Sequence, residues 1–201
     1  MTSTQFSISK ATLEDSKNIH NLLLKNLVEI QDVKELTLIQ RSKLETEGFL
    51  RKEVSEEYYA GLIKDPDVDI YIAQNNGEII GFATFHLKKS DVRIFRTTLK
   101  NLDIQNIEIL QLLTMVDQTF VYLDQVSIDP KYQRQGVGKA IMQHVIPLMI
   151  TPIVSFIVKK PLANLASSKW HTNVGFKLIG LADGAYKNTS FEWEIYLFTV
   201  T

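Results

Sequence analysis

VSIDPKYQRQGVGKA, residues 126–140, is the stretch on which the reading of this chain turns. Val126 and Ile128 alternate with polar residues, as in a strand that is apolar on one side. Asp129-Pro130 breaks that pattern. Gly136 and Gly138 then open a helical stretch, with Ile141, Val145 and Met149 on one face. A helix start carries unpaired backbone N–H groups and the positive end of the macrodipole. Glycines there leave no β-carbon in the way, so a bulky anion can reach the backbone. Arg134 and Lys139 add positive charge, and the site suits a diphosphate.

Three anion-binding patterns compete for this loop. A P-loop needs glycine where this chain has Gln133, and Ser or Thr where it has Ala140, so both tests fail. A dinucleotide fingerprint needs a further glycine at Ile141, so that match is incomplete. The third pattern is Gln/Arg-x-x-Gly-x-Gly/Ala behind an alternating strand, and Gln133, Gly136 and Gly138 fit it. Downstream come a short apolar strand, Asn164 with Ser167 three residues on, and Gly175-Phe176. With that spacing the chain resembles the GCN5-related N-acetyltransferase (GNAT) superfamily over about residues 6–199, most sharply over 120–180.

The resemblance implies an α/β fold: a single-domain, GNAT-like mixed sheet with splayed central parallel strands, flanked by helices. Those central strands would be 120–128 and 153–158. It implies acetyl-CoA as acyl donor. The backbone of Val126 and Ile128 would pair with the pantetheine arm as an added strand does, with Ser127 between them facing the other way. Gln133 would belong to the cofactor site, and Arg134, Gln135, Gly136, Val137, Gly138 and Lys139 would hold the pyrophosphate through backbone N–H groups. Asn164, with Ser167 in the small position of its motif, would sit near the pantetheine or thioester end. The implied reaction is direct attack by a neutral amine on the thioester carbonyl. The N–H of Val126 would stabilise the charge that grows on the oxygen. Many members place a tyrosine seven residues after the asparagine, as the acid that protonates the leaving thiolate. This chain has His171 there, which departs from the pattern and is the expected substitute. Asp124, on the strand leading to the cofactor, is the expected base. His86 is a weaker candidate for that part, and His20 and His144 read as surface or interface residues.

The rest of the chain fits this frame. At 201 residues, 45% apolar and 22% charged, it is of ordinary globular composition, and residues 1–201 are expected to form one domain. A helix is expected behind Thr12 and Asp15, with Ile19, Leu22, Leu23, Leu27 and Ile30 on one side. Further helices are expected over Val33–Phe49 and Glu56–Ile63. Asp69–Gln74 and Ile79–Leu87 read as a hairpin about Asn75-Asn76-Gly77. Residues 88–118 read as an insertion between two strands, with an amphipathic helix from Ile104 to Val116, forming a lid or part of a dimer interface. A helix over 162–173 and strands at Phe176–Ile179 and Phe191–Thr199 complete the order.

The chain has no cysteine, which removes disulfides and thiolate chemistry, and no histidine pair at ligand spacing, so no metal is expected. A formal net charge of −1 and only short basic spots, Lys88–Lys89 and Lys159–Lys160, argue against nucleic acid. No apolar run approaches the ~18 residues of a membrane span. The N-terminal MTSTQFSISK lacks the pattern of a signal peptide. The expected location is the cytoplasm and the expected partner a small-molecule or peptide amine. The cluster Glu45, Glu47, Glu53, Glu56 and Glu57 reads as a solvated face. Homodimerisation is open, and a non-catalytic CoA-binding sensor or regulatory module is the competing function.

Overall fold

The computed structural model describes residues 6–27, 35–50, 54–91, 99–186 and 189–200. Ile30, Val33, Lys34 and Glu53, which the sequence reading drew into helices or the acidic cluster, lie outside the described residues. So do residues 92–98 of the expected insertion. The fold is mixed α/β, as expected. The hydrogen-bonded strands run in the order β1 (Ser7–Lys10), β2 (Val68–Asn75), β3 (Glu78–Lys89), β5 (Phe120–Ile128), β6 (Ile153–Lys160), β8 (Thr189–Phe198), β7 (Lys177–Tyr186) and β4 (Leu99–Asp103). Contacts divide the chain into two compact units. One holds Met1–Val28, Leu50–Leu87 and Leu123–Met149, and the other holds Glu29–Phe49, Lys88–Tyr122 and Ile150–Thr201. Among the described residues no helix is long and apolar enough to cross a membrane.

In the first unit, β1 (Ser7–Lys10) leads into α1 (Ser16–Asn26) through a turn. There the Asp15 carboxylate accepts the Thr12 N–H at 2.8 Å. Next come α3 (Glu56–Lys64), β2 (Val68–Asn75) and β3 (Glu78–Lys89). The β2–β3 hairpin is antiparallel, from Val68↔His86 to Asn75↔Glu78. Its turn residues Asn76 and Gly77 both have positive φ, 50° and 81°. That is the backbone a tight hairpin with right-twisted strands demands. Ile19, Leu22 and Leu23 of α1 pack with Tyr59 of α3 and with Ile70, Ile72 and Phe82. The chain closes this unit with the end of β5 (Phe120–Ile128) and with α5 (Val137–Val145). Pro147 ends that helix early, in a 3-10 turn at Ile146–Leu148.

The second unit contains α2 (Leu38–Glu47), β4 (Leu99–Asp103), α4 (Ile107–Thr114), β6 (Ile153–Lys160), α6 (Leu165–Asn173), β7 (Lys177–Tyr186) and β8 (Thr189–Phe198), with the start of β5. The expected parallel pair is β5 and β6, registered at Val121↔Ile153 and Tyr122↔Val154. β8 lies antiparallel to β6 and to β7. Phe120, Tyr122, Val154, Trp193 and Ile195 form its core with Leu113 of α4.

Two expectations are corrected here. Residues 88–118 contain β4, which pairs antiparallel with β7, before the expected helix begins at Ile107. β7 does not stop at Ile179. It runs to Tyr186, because Gly180–Ala185 stay in register with β8 although glycine and aspartate are depleted in strands.

Candidate active site

The glycine loop leaves β5 with its polar backbone already oriented. The Asp129 N–H donates to the Ile80 carbonyl of β3 at 2.8 Å. The Ser127 carbonyl also lies on that side, beside Gly81. Backbone groups alternate along a strand, so the N–H and C=O of Val126 and Ile128 point to the opposite edge of β5. A β-carbon at Gly81 would come within 2.7 Å of Ile128 Cδ1 and 2.9 Å of Val137 Cγ1. Glycine there lets the end of β5 and the start of α5 pack closely against β3.

Asp129 shapes the turn that follows. Its Oδ1 accepts the Lys131 N–H at 2.9 Å, and its Oδ2 meets Lys25 Nζ of α1 at 2.5 Å. Burial alone would push this carboxyl up, since its side chain is 3% exposed. The Lys25 hydrogen bond, the Lys131 N–H and the charges of both lysines outweigh it and hold the carboxyl below the usual range. Asn26, the last residue of α1, donates through Nδ2 to Ser127 Oγ at 2.9 Å and to the Ile128 carbonyl at 3.1 Å. Gln133 Nε2 reaches Asn26 Oδ1 and the same carbonyl, both at 3.5 Å. Gln135 Nε2 donates to the Lys131 carbonyl at 2.7 Å.

The chain then turns through Arg134 (φ 61°) and Gly136 (φ 88°), and Gly136 is the N-cap of α5. Among the described residues, nothing beyond its chain neighbours lies within 4 Å of a β-carbon at Gly136. The first intrahelical bond runs from the Ala140 N–H to the Gly136 carbonyl at 2.9 Å. The N–H groups of Val137, Gly138 and Lys139 therefore have no acceptor inside the helix. Arg134 and Lys139 are exposed beside them. An open, left-handed glycine, a first turn of undirected N–H groups and two cations fit a diphosphate.

Upstream on β5, the structure brings together two residues that the sequence weighed separately. His86 Nε2 lies 3.6 Å from Asp124 Oδ2, and both side chains are largely buried. Beside them the Tyr59 hydroxyl donates to Gln125 Oε1 at 2.7 Å. Burial, and then the Asp124 charge, push the Tyr59 phenol far up, so it stays neutral.

In the second unit, Asn164, Ser167 and His171 share α6. Asn164 Oδ1 caps the helix by accepting the Ser167 N–H at 3.1 Å, and its Nδ2 donates to the Phe49 carbonyl at 2.9 Å. His171 is 2% exposed, with its ring against Trp170, Phe176 and Tyr196. Its Nδ1 sits 2.8 Å from the Ser167 carbonyl, which can only accept, so Nδ1 carries the proton. Nε2 is a buried lone pair without a hydrogen-bond partner among the described residues. Burial lowers the imidazole to about 4 against the Ser167 hydrogen bond. Tyr196 and Ser168 both donate to Glu194 Oε2, at 3.0 and 2.7 Å.

One sequence expectation changes. His171 does not suit the acid's part, because its neutral ring holds its only proton on the Ser167 carbonyl. Ser127 offers the candidate site no side chain, because its hydroxyl is buried on Asn26. Lys25, Asn26, Gly81 and Tyr59 join the candidate site only in the structure. A helix-end Lys-Asn pair and a glycine inside a hairpin strand carry no mark of a distant loop. The Asp129-Pro130 pair was visible, but its lysine partner was not.

The family model described as acetyltransferase (GNAT) family matches residues 31–176. No curated protein matches the sequence. Solved structures share the fold at low identity. The Escherichia coli N-acetyltransferase that acts on a ribosomal-protein alanine is 15% identical at TM-score 0.59, over 98% of this chain and 95% of that one. Arabidopsis thaliana NAA60 in complex with acetyl-CoA is 14% identical at TM-score 0.61, over 98% and 99%. YncA from Salmonella typhimurium, with its cofactor acetyl-CoA, is 14% identical at TM-score 0.58, over 98% and 94%.

Proposed function

Because the chain belongs to the acetyltransferase (GNAT) family, and so is an acyltransferase, we propose that residues 1–201 act as one catalytic domain that moves an acetyl group from acetyl-CoA to a primary amine of a small molecule or peptide. The family match runs through both compact units, which favours a single working domain. The observation that carries the reading is the loop at Gly136. An open left-handed glycine caps α5 where its first-turn N–H groups, between Arg134 and Lys139, have no acceptor inside the helix.

Acetyl-CoA, when bound, supplies an electrophilic acyl carbon and a sulfur leaving group. The backbone from Arg134 to Lys139 would bind its pyrophosphate, with the macrodipole of α5 and the two side-chain cations adding attraction. Lys25, Asn26 and Asp129 hold that loop in shape. Val126 and Ile128 present backbone groups on the edge of β5 opposite β3, where an extended pantetheine arm can pair. The Ile128 carbonyl is already shared with Asn26, so Val126 carries more of this pairing. The Val126 N–H would also stabilise negative charge growing on the acyl oxygen. Asn164 positions the start of α6 through the Phe49 carbonyl. Asp124 brings a carboxylate close to the reacting centre, and the sulfur draws its proton from solvent.

The test is calorimetric titration with acetyl-CoA, followed by release of free CoA thiol against a panel of amines. Gly136→Val should weaken acetyl-CoA binding at least about tenfold, because a β-branched residue is strained at φ 88° and covers the N–H groups. Circular dichroism should report the same fold. Unchanged affinity would remove the loop assignment. Binding without transfer to any amine would favour a sensor or regulatory module instead.

A further inference from the structure

We propose that the core of the first unit binds a single water molecule between the Gln125 amide of β5 and the Thr84 hydroxyl of β3, under Tyr59 of α3. Such a site stands whether or not the chain transfers acetyl groups. Among the described residues, Thr84 Oγ1 and Gln125 Nε2 are buried atoms without a hydrogen-bond partner. The two residues are 0% and 3% exposed. The large majority of buried polar side-chain atoms are paired, with protein or with ordered water. Two unpaired atoms on one patch are met by one shared partner.

The fold brings both side chains under α3. Phe82 and Thr84 face the same way, since residues two apart on a strand share a face. Phe82 takes the Tyr59 ring edge-on at 5.6 Å. Ile72 and Ile70 of β2 stand across from Phe82 and Thr84 and lie in the same core as Tyr59. Gln125 faces the same helix, because its Oε1 accepts from the Tyr59 hydroxyl at 2.7 Å. β3 and β5 are neighbours that run antiparallel, since Asp129 bonds to Ile80 at one end and Asp124 meets His86 at the other. Between those ties Gln125 comes level with Thr84 to within a residue. Residues that face each other across two strands have β-carbons about 4.5–5.5 Å apart. One water spans that gap, with a hydrogen bond of about 2.9 Å on each side.

The surroundings set the class of ligand. Ile70, Ile72, Phe82 and the Tyr59 ring make the walls apolar, and both polar side chains lie too deep to meet a larger molecule. The polar groups are an amide, an aliphatic hydroxyl and a phenol kept neutral by burial and then by the Asp124 charge. Neutral donors and acceptors suit water. The water accepts from Gln125 Nε2–H and shares a second bond with the Thr84 hydroxyl, which can donate or accept. Two bonds fall within the roughly two to four that hold a buried water. Turning the amide over leaves the site in place. Nε2 then donates to the Tyr59 oxygen, Oε1 is the unpaired end, and the water donates to it. Either way α3, β3 and β5 meet at one polar joint, which fixes β5 one residue before Val126.

The experiment is a high-resolution crystal structure of the whole chain, wild type and two variants, with thermal melts of each. Wild type should show a water oxygen about 2.7–3.2 Å from both Thr84 Oγ1 and the Gln125 amide. Thr84→Ser keeps the hydroxyl and should keep the water. Thr84→Val keeps the shape of the side chain but takes away one partner of the water, so its melting temperature should fall by about 2–4 °C. With no water bound, Thr84 would carry an unmet hydroxyl, and Thr84→Val should melt higher than wild type. That sign overturns the proposal. A direct bond between Thr84 Oγ1 and the Gln125 amide, with no density between them, overturns it too. Should Thr84→Val fail to fold, the wild-type density decides, since a water peak there upholds the site and a clear map removes it.

Discussion

His171 stands seven residues beyond Asn164, at a position where the family resemblance implies an acid, and the fold makes it a core residue instead. Sequence spacing located it, but its surroundings come from residues far along the chain, Phe176 and Tyr196 among them. Burial lowers its folded value to about 4, below the usual 6.5. The unfolded chain therefore binds a proton between those values that the folded chain does not. Its contribution to stability is complete above about pH 6.5 and is lost as pH falls towards about 4. The full span is worth about 3 kcal/mol. Asp129 acts in a separate window. Its depressed carboxyl contributes above its unfolded value, near pH 4, and loses that contribution below it. Urea unfolding at pH 7, 5.5 and 4 should show wild type losing about 3 kcal/mol more than His171→Phe over this range. Equal losses would mean that the ring is hydrated in the folded protein. Gln125 makes the same point about legibility: glutamine is mostly an exposed residue, yet here it is buried under the Tyr59 hydroxyl.

At the scale of elements, the glycine loop was legible because its chemistry is local. Glycines, a helix start and two cations sit within one short stretch, so spacing alone marked the candidate site. What holds the loop was not legible, because it arrives from α1. Lys25 and Asn26 look like an ordinary polar helix end, and only the fold lays them against Asp129, Ser127 and Ile128. The pairing of His86 with Asp124 was hidden for the same reason. Asn26→Ala should leave the buried Ser127 hydroxyl and the Ile128 carbonyl short of a donor, at a cost of about 1–3 kcal/mol. It should also weaken acetyl-CoA binding by about tenfold, since a loosened loop must be ordered on binding. Thermal melts and calorimetry on the same variant measure both. A variant that is less stable but binds as tightly would show that the loop keeps its shape without α1.

For the whole molecule, most strands and helices could be read from periodicity, but their order in the sheet could not. β8, the last strand in sequence, lies between β6 and β7, and nothing local specifies that insertion. β4 escaped notice because LKNLD alternates weakly and sits at the edge of the order, paired with β7. What admits it is Gly180 on β7. A β-carbon there would lie 2.3 Å from the Asp103 carbonyl oxygen and 2.7 Å from Ile104 Cγ1. The first of these atoms is backbone, so no rotamer change relieves the clash. Gly180→Val should drive β4 away from β7 and draw Ile104 out of the core it shares with Leu113 and Trp193. The cost is about 1–3 kcal/mol by overpacking. Hydrogen exchange gives the direct reading: amides of β4 and of Leu181–Asp183 should lose protection, while the β6–β8 ladder from Ile153↔Phe198 onward keeps it. If the β4 amides stay as protected as in wild type, the Asp103 carbonyl moves aside without loss, and Gly180 is not what lets this edge strand dock.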